Sequence, residues 1–363
     1  MKVAFLTNIP SPYRVSFFNE LGKYCELTVF FERSMSDERD KSWGNYEFKN
    51  FSGIILKGKN ISTDKSFAPS IKKYLKSNKF DHVVVCNSFT PTGIYAIFYM
   101  KKNNIDYCIE GDGAFVKKEN FLKKLFKKSI IKGAKGYFST SKTHDEYYLT
   151  YGAEKSLIFR YPFTSVMEEN VLDSPLDTED KNKIKISLGI SEERMILSVG
   201  QFVYRKGFDV LLKAVRNLDK SIGVYIIGGN PTSDMESFVC SHNLSNVHFL
   251  SFKKPEELRQ YYKVADVFVL PTREDIWGLV VNEAMAVGTP VIATDKCVSG
   301  LEMIKNGLNG YIVPSENEVD LSNTINMLMD NNFKRMSEES LETAKKYTIQ
   351  NMARTHINIL SKI

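Results

Sequence analysis

The stretch REDIWGLVVNEAM, from Arg273 to Met285, places two acids, Asp275 and Glu283, eight positions apart around a Trp-Gly pair and an apolar run. With its flanks it reads as a strand over 266–270, a loop over 271–277 and a helix opening at about Gly278. Asp275 then lies beside the helix mouth and Glu283 about a turn and a half inside it. The amides of Gly278 and Leu279 are among the first N–H groups of that helix, which have no intrahelical partner. Such an arrangement suits a ligand with hydroxyls at one end, an anion in the middle and a ribose at the other. The plainer reading makes Asp275 an N-cap and Glu283 a solvated residue. It fits less well, because the helix runs on into AMAVGTPVIAT, and a buried carboxylate needs a partner.

A second stretch, SVGQFVYRKGFDVLLKA (198–214), ends a strand at Gly200, carries Arg205 and Lys206 in a loop, and opens a helix around Gly207. Glycines let backbone approach a ligand closely. Two cations beside a helix N-terminus make an anion site suited to a diphosphate. The alternative is a surface loop with two solvated cations. A third stretch, IIGGN (226–230), ends another strand in glycines, on the same sheet edge as Gly200. Neither GxxxxGK[ST] nor GxGxxG is present, which disfavours a Walker-type nucleotidase and a dinucleotide oxidoreductase.

Parallel sheets must hold these loops. KVAFL, ELTVFF, HVVVC, DYCIE and GYFST read as strands in the first half, and MILSVG, GVYIIGG, VHFLS, DVFVL and PVIAT in the second. Their apolar runs are continuous, as strands buried on both faces require, and helix-length segments such as 207–220 and 255–265 alternate with them. Periodicity breaks across 160–183. The chain therefore reads as α/β, with two Rossmann-like, doubly wound parallel-sheet domains facing a cleft: residues 1–165 and 166–344. Ligands of such sheets sit at the carboxyl ends of the strands.

The length of 363 residues also favours two domains, since a single core stops growing at roughly 250–300 residues. Five scattered cysteines without a CxxC pair read as reduced thiols in a cytoplasmic protein without structural zinc. The first residues hold too short an apolar run for a signal peptide, and GIYAIFYM (93–100) is far short of a membrane span. The net charge of +6 is uneven: +10 over 1–150 and −4 over 151–363. The basic half points to an anionic partner or to a solvated lysine-rich surface. Aromatic-basic interleaving is weak, so nucleic acid is not expected.

The order SVG…YRKG, VYIIGG, PTREDIWGLVVNEAMAVGTPVIAT resembles the retaining glycosyltransferases of family 4, which have the GT-B fold, most specifically over 195–313. The family carries an E-x7-E motif; here the first acid is Asp275, one methylene shorter, with Glu274 adjacent. The resemblance implies that Arg205 and Lys206 bind the donor diphosphate and that Glu283 holds the ribose. Asp275, with the Trp277, Gly278 and Leu279 amides, would hold sugar hydroxyls and the distal phosphate. Gly200 would allow close approach, and the base would rest near Phe252 and Lys253. It implies a nucleotide-sugar co-substrate (a UDP-sugar first, a GDP-sugar next), no metal and no other cofactor. The acceptor would be a saccharide or lipid-linked saccharide of surface polysaccharide, O-antigen, capsule or glycolipid. A GT-B-fold UDP-GlcNAc epimerase and an inactive nucleotide-sugar-binding partner subunit are the alternatives.

The first half departs from that pattern. Its opening loop, TNIPSPYRVSFF (7–18), offers Asn8, Ser11, Tyr13 and Arg14 on the acceptor side. After DYCIE come Glu110 and Asp112, candidates for acceptor binding or proton acceptance; the alternatives are a rigid turn and an acidic turn. None of the five histidines stands out. VKKENFLKKLFKKSIIKGAK (116–135) reads as a basic amphipathic helix of a kind that can lie on an anionic membrane. Its apolar stripe, Phe121, Leu122, Leu125, Phe126 and Ile130, is expected to be mostly core. The lysines are then either solvated or bring the domain to an anionic acceptor or to a membrane, at the inner face of the plasma membrane. The terminal helix, about 345–363, is expected to pack back on the first domain.

Overall fold

The computed structural model describes residues 1–34, 47–62, 65–77, 79–329 and 334–363. The chain divides into two compact units, Met1–Ser165 with Thr348–Ile363, and Val166–Tyr347.

The first unit runs β1 (Lys2–Thr7), α1 (Pro12–Leu21), β2 (Glu26–Phe31), β3 (Ser52–Ile55), β4 (Lys59–Ser62), β5 (Lys65–Phe67), α2 (Ile71–Ser77), β6 (His82–Val85), α3 (Pro91–Lys102), β7 (Cys108–Glu110), α4 (Phe121–Ile131), β8 (Gly136–Ser139), α5 (Lys142–Thr150) and β9 (Ile158–Arg160). Seven strands form one parallel sheet in the order β3-β2-β1-β6-β7-β8-β9, and β4 and β5 pair as a separate antiparallel hairpin. Central strands are apolar on both faces because helices cover both: Val3–Phe5 and Val84–Val85 are fully buried. Pro12 at the start of α1 supplies a ring-fixed φ where no N–H partner is needed.

The second unit runs α6 (Thr178–Leu188), β10 (Arg194–Val199), α7 (Phe208–Val215), β11 (Ile222–Ile227), α8 (Ser233–Ser241), β12 (Val247–Leu250), α9 (Pro255–Val264), β13 (Val267–Leu270), α10 (Leu279–Met285), β14 (Val291–Thr294), α11 (Val298–Met303), β15 (Gly310–Val313), α12 (Glu318–Met329) and α13 (Lys334–Ala344). Its six strands are parallel in the order β12-β11-β10-β13-β14-β15. The strand order reverses between β10 and β13, so a crevice opens beyond their carboxyl ends, where loops 200–207 and 271–278 lie. The last helix, α14 (Ile349–Leu360), packs on α1 in the first unit.

All ten strands read from the sequence form. Five that it did not show also form: β3, β9 and β15 complete the parallel sheets at their edges, and β4 and β5 make the separate hairpin. Helix α7 ends at Val215, earlier than its apolar pattern suggested. The expectation for α4 is overturned: Phe121, Leu122, Leu125 and Phe126 are exposed, and only Ile130 and Ile131 enter the core. No described helix is long and apolar enough to cross a membrane.

Candidate functional site

In the second unit, the chain leaves β10 at Gly200 and makes a single 3-10 turn over Tyr204–Lys206. It enters α7 through Gly207, whose φ of 68° is left-handed and whose Cβ, if present, would lie 2.0 Å from the Pro271 carbonyl oxygen. Only glycine lets the 204–207 turn pack against the 271–273 segment in this way. That packing carries the Lys206 stem over Gly200, where an added Cβ would meet Lys206 Cε at 3.1 Å. Gly228 confirms that the two glycine-ended strands share an edge: its Cβ would lie 2.0 Å from the Gly200 carbonyl oxygen.

The turn delivers two cations to Asp275. Lys206 Nζ donates to Asp275 Oδ2 at 2.6 Å, and Arg205 Nη1 stands 3.8 Å from the same oxygen. Lys206 and Asp275 are nearly buried, at 9% and 12% side-chain exposure, whereas Arg205 is half exposed at 51%. Asp275 is fixed from behind: its N–H donates to the Lys296 carbonyl and its carbonyl accepts from the Val298 N–H. Two residues further on the indole of Trp277 is buried and donates to Asn282 Oδ1 at 2.8 Å, so its ring serves the core. Helix α10 follows as a short, seven-residue element. Its first bond runs from the Val281 N–H to the Gly278 carbonyl, which leaves the Gly278 and Leu279 N–H groups ahead of it. Glu283, half-buried on α10, accepts from the Tyr262 hydroxyl at 3.1 Å. Beyond β12, Phe252 is exposed and Lys253 pairs with Glu257 at 2.6 Å.

Two residues that the sequence did not single out hold this site. Arg273 uses all five of its donors. It grips Asp209 through Nη1 and Nη2 at 2.8 and 2.7 Å, Glu316 through Nε and Nη2, and the Tyr204 carbonyl through Nη1 at 2.7 Å. Its guanidinium stacks 4.0 Å from the Tyr204 ring centroid. Its own N–H and the Thr272 hydroxyl both donate to the Arg205 carbonyl, each at 2.8 Å. Arg273 therefore ties the cation-bearing turn to the loop that carries Asp275. Tyr262 is the second, as the hydroxyl behind Glu283. Neither has a local signature: the partners of Arg273 are 64 and 43 residues away.

The first unit also has a charged cluster at a sheet end, but it is closed. Arg14 on α1 is 4% exposed and reaches Glu110 Oε1 and Asp112 Oδ1, both at 2.5 Å. The other Glu110 oxygen faces His356 Nε2 on α14 at 3.3 Å, and Tyr161 donates to the Gly111 carbonyl at 2.9 Å. Burial alone would raise the Glu110 carboxyl; Arg14 and His356 outweigh it and hold it down at about 2. Arg14 and Glu110 are thus joined to each other and do not present free groups to an acceptor, while Asp112 keeps a third of its side chain exposed. Asn8 accepts from Arg33 at 3.2 Å, Ser11 is buried at the start of α1, and Tyr13 packs edge-on to Phe163. Glu32, just past β2, was not read from the sequence. It is buried under donated bonds from Thr90 (2.5 Å) and Ser66 (3.4 Å), and burial pushes its carboxyl up to about 7. All five cysteines are free thiols. Among the described residues no cluster of His, Cys, Asp and Glu has the makings of a metal site.

Two parallel-sheet units, with paired cations and an acid at the switch point of the second, define a protein of the GT-B class. Residues 180–350, almost all of them in the second unit and just under half of the chain, match the family model "Glycosyl transferases group 1". It is 31% identical over 207 residues to an uncharacterised glycosyltransferase of Methanocaldococcus jannaschii, covering 52% of this chain and 58% of that protein. It is 27% identical over 299 residues to an uncharacterised protein in the cps region of Klebsiella pneumoniae, covering 80% of each. The chain spans about half the length of several of the curated relatives it matches. The fold matches the crystal structure of Anabaena HepE in complex with UDP and glucose, with a TM-score of 0.79, 14% identity and complete coverage of both chains.

Proposed function

We propose that the protein is a retaining glycosyltransferase that moves a sugar from a nucleotide-sugar, a UDP-sugar before a GDP-sugar, to a saccharide or lipid-linked saccharide of a surface polysaccharide, O-antigen, capsule or glycolipid. One observation carries this reading: Lys206 and Arg205 converge on Asp275 at the switch point of the second sheet, while Tyr262 holds Glu283 on the following helix. The UDP seen with HepE and the cps context of the Klebsiella relative favour the same donor and pathway class.

The chemistry follows from charge. Cleavage of the sugar–phosphate bond leaves the bonding pair on the diphosphate and gives the sugar oxocarbenium character. Arg205 and Lys206 neutralise the departing diphosphate, without a metal in this proposal. Lys206 is already placed by Asp275 and needs little reorganisation, which is what makes such a donor effective. Asp275 and the Gly278 and Leu279 amides then hold sugar hydroxyls and the distal phosphate, Glu283 holds the ribose, and Phe252 with Lys253 borders the base. Arg273 and Tyr262 act through these groups as positioning residues. On the first unit, Asn8, Ser11, Tyr13 and Asp112 remain the acceptor-side candidates; Arg14 and Glu110 support them from within.

The test is turnover of a panel of UDP- and GDP-sugars with simple and lipid-linked saccharides, with the product anomer read by NMR and EDTA present in parallel. A product of retained configuration, formed equally with EDTA, supports the reading. Release of an epimerised sugar without acceptor would replace it with the epimerase alternative.

A further inference from the structure

Helix α4 presents its apolar side outward. At about 100° per residue, Phe121, Leu122, Leu125 and Phe126 fall within one arc, while Ile130 lies just beyond its edge and Ile131 across from it, and both are buried. The outward four are exposed by 71%, 75%, 46% and 47%. Large apolar side chains grouped in this way mark a surface that something covers. Val116 just before the helix and Phe89 beside it are exposed as well, and Lys127 lies over the Phe89 ring at 5.9 Å.

The rim of this patch is one-signed. Residues 116–135 contain eight lysines and a single acid, Glu119, which is buried against Lys123 and Lys127. Lys124 and Lys128 flank one side of the apolar arc, and both are exposed. The helix is anchored at each end: Asn120 caps its start, and Lys101 Nζ donates to the Ser129 and Lys132 carbonyls at 2.5 and 2.7 Å. The apolar face is therefore held out by the fold.

We propose that this face of α4 is a docking surface for an anionic lipid membrane, with its four outward apolar side chains entering the headgroup–acyl boundary and the flanking lysines meeting lipid phosphates. Eleven residues make a helix about 16 Å long, too short to span a bilayer and suited to lying in its surface plane. A second copy of the chain is a poorer occupant. A two-fold contact would set the lysine rims against each other, and one turn-and-a-half of apolar arc falls short of the roughly 800 Å² per partner that stable interfaces bury. The docking is independent of the transfer reaction proposed above and is tested without it.

The experiment is co-sedimentation of the full chain with vesicles of phosphatidylcholine mixed with phosphatidylglycerol, and with vesicles of phosphatidylcholine alone, at low and physiological salt. The chain is expected to pellet with the mixed vesicles, less so as salt rises, and weakly with the neutral ones. Phe121→Ser with Leu122→Ser, both at exposed positions, should lose binding by at least tenfold while circular dichroism and melting stay as in the native chain. Lys124→Gln with Lys128→Gln should lose about fivefold per lysine on mixed vesicles only. Failure of the native chain to pellet with mixed vesicles at low salt overturns the proposal, as does equal binding to neutral vesicles or by both double variants. A dimer in the ultracentrifuge that Phe121→Ser/Leu122→Ser dissolves, without vesicle binding, would assign the face to a second copy instead.

Discussion

Two charged clusters stand at the carboxyl ends of the two sheets and are built in opposite ways. In the first unit Arg14 is 4% exposed, and Glu110, at 1%, has each of its oxygens facing a cation or ring nitrogen from a different helix. In the second unit Lys206 and Asp275 make one short contact, Arg205 stands off at 3.8 Å, and half of Arg205 lies open. A buried, saturated cluster can only hold elements together: here α1, the end of β7 and α14. A cluster with an open cation and a carboxylate engaged on one oxygen can exchange its internal contacts for those of an anionic ligand. The difference separates charge used for structure from charge available for chemistry, although the sequence offers candidates in both.

Breaking the closed cluster should produce the largest loss of stability. Arg14→Met leaves Glu110 buried beside fewer partners and should cost about 3–5 kcal/mol in urea unfolding. Glu110 sets the pH window. Its folded value of about 2 lies below its ordinary 4.5, so its contribution is present above about pH 4.5 and fades as pH falls towards 2. The open cluster should behave oppositely. Lys206→Ala should slow transfer by about 10²–10³-fold, with a stability loss of about 1–3 kcal/mol from the unpaired Asp275. If Arg14→Met spared stability and Lys206→Ala spared turnover, the contrast between the clusters would collapse.

A smaller effect sharpens the comparison within the first unit. Glu32 is buried like Glu110 but is met by hydroxyls, and its value rises from 4.5 to about 7. A raised carboxylate contributes below pH 4.5 and loses that contribution as pH climbs through 7. Glu32→Gln should therefore match the native chain near pH 4.5 and exceed it by on the order of 3 kcal/mol above pH 8 in thermal unfolding. The smallest effect belongs to Arg273. Arg273→Lys removes the fork that joins Asp209, Glu316 and Tyr204, and should lower kcat about tenfold with little change in donor KM, since the turn shifts while its cations remain. A pure stability loss with kcat intact would demote Arg273 to packing alone.

Much of this architecture was legible in the sequence because central parallel strands are buried on both faces and read as unbroken apolar runs. Five strands escaped: Ser52–Ile55, Ile158–Arg160 and Gly310–Val313 lie at the edges of the parallel sheets, are three or four residues long and are partly exposed, and Lys59–Ser62 and Lys65–Phe67 form a separate hairpin. Short, partly exposed edge strands lack the unbroken apolar run that betrays a strand, whereas β12, also at an edge, is legible from Val247, Phe249 and Leu250. The loops bearing Arg205, Lys206, Asp275 and Glu283 were legible as motifs, since glycines and strand ends fix their place. Arg273, Tyr262, Glu32 and His356 were not, because each gets its task from partners distant in the chain. Helix α4 shows a different limit. Periodicity revealed an apolar stripe but not which side faces the sheet, and the buried pair Ile130 and Ile131 proved to be the inner side.

The most direct test of the central claim is calorimetric titration of UDP and GDP, and of their common sugar conjugates, into the native chain and into Arg205→Ala/Lys206→Ala. A saturable site for one nucleotide diphosphate, weakened at least tenfold in the double variant whose fold is intact, is the predicted result. Binding of none of these nucleotides, or equal binding by the double variant, would contradict the assignment of this loop to a donor diphosphate.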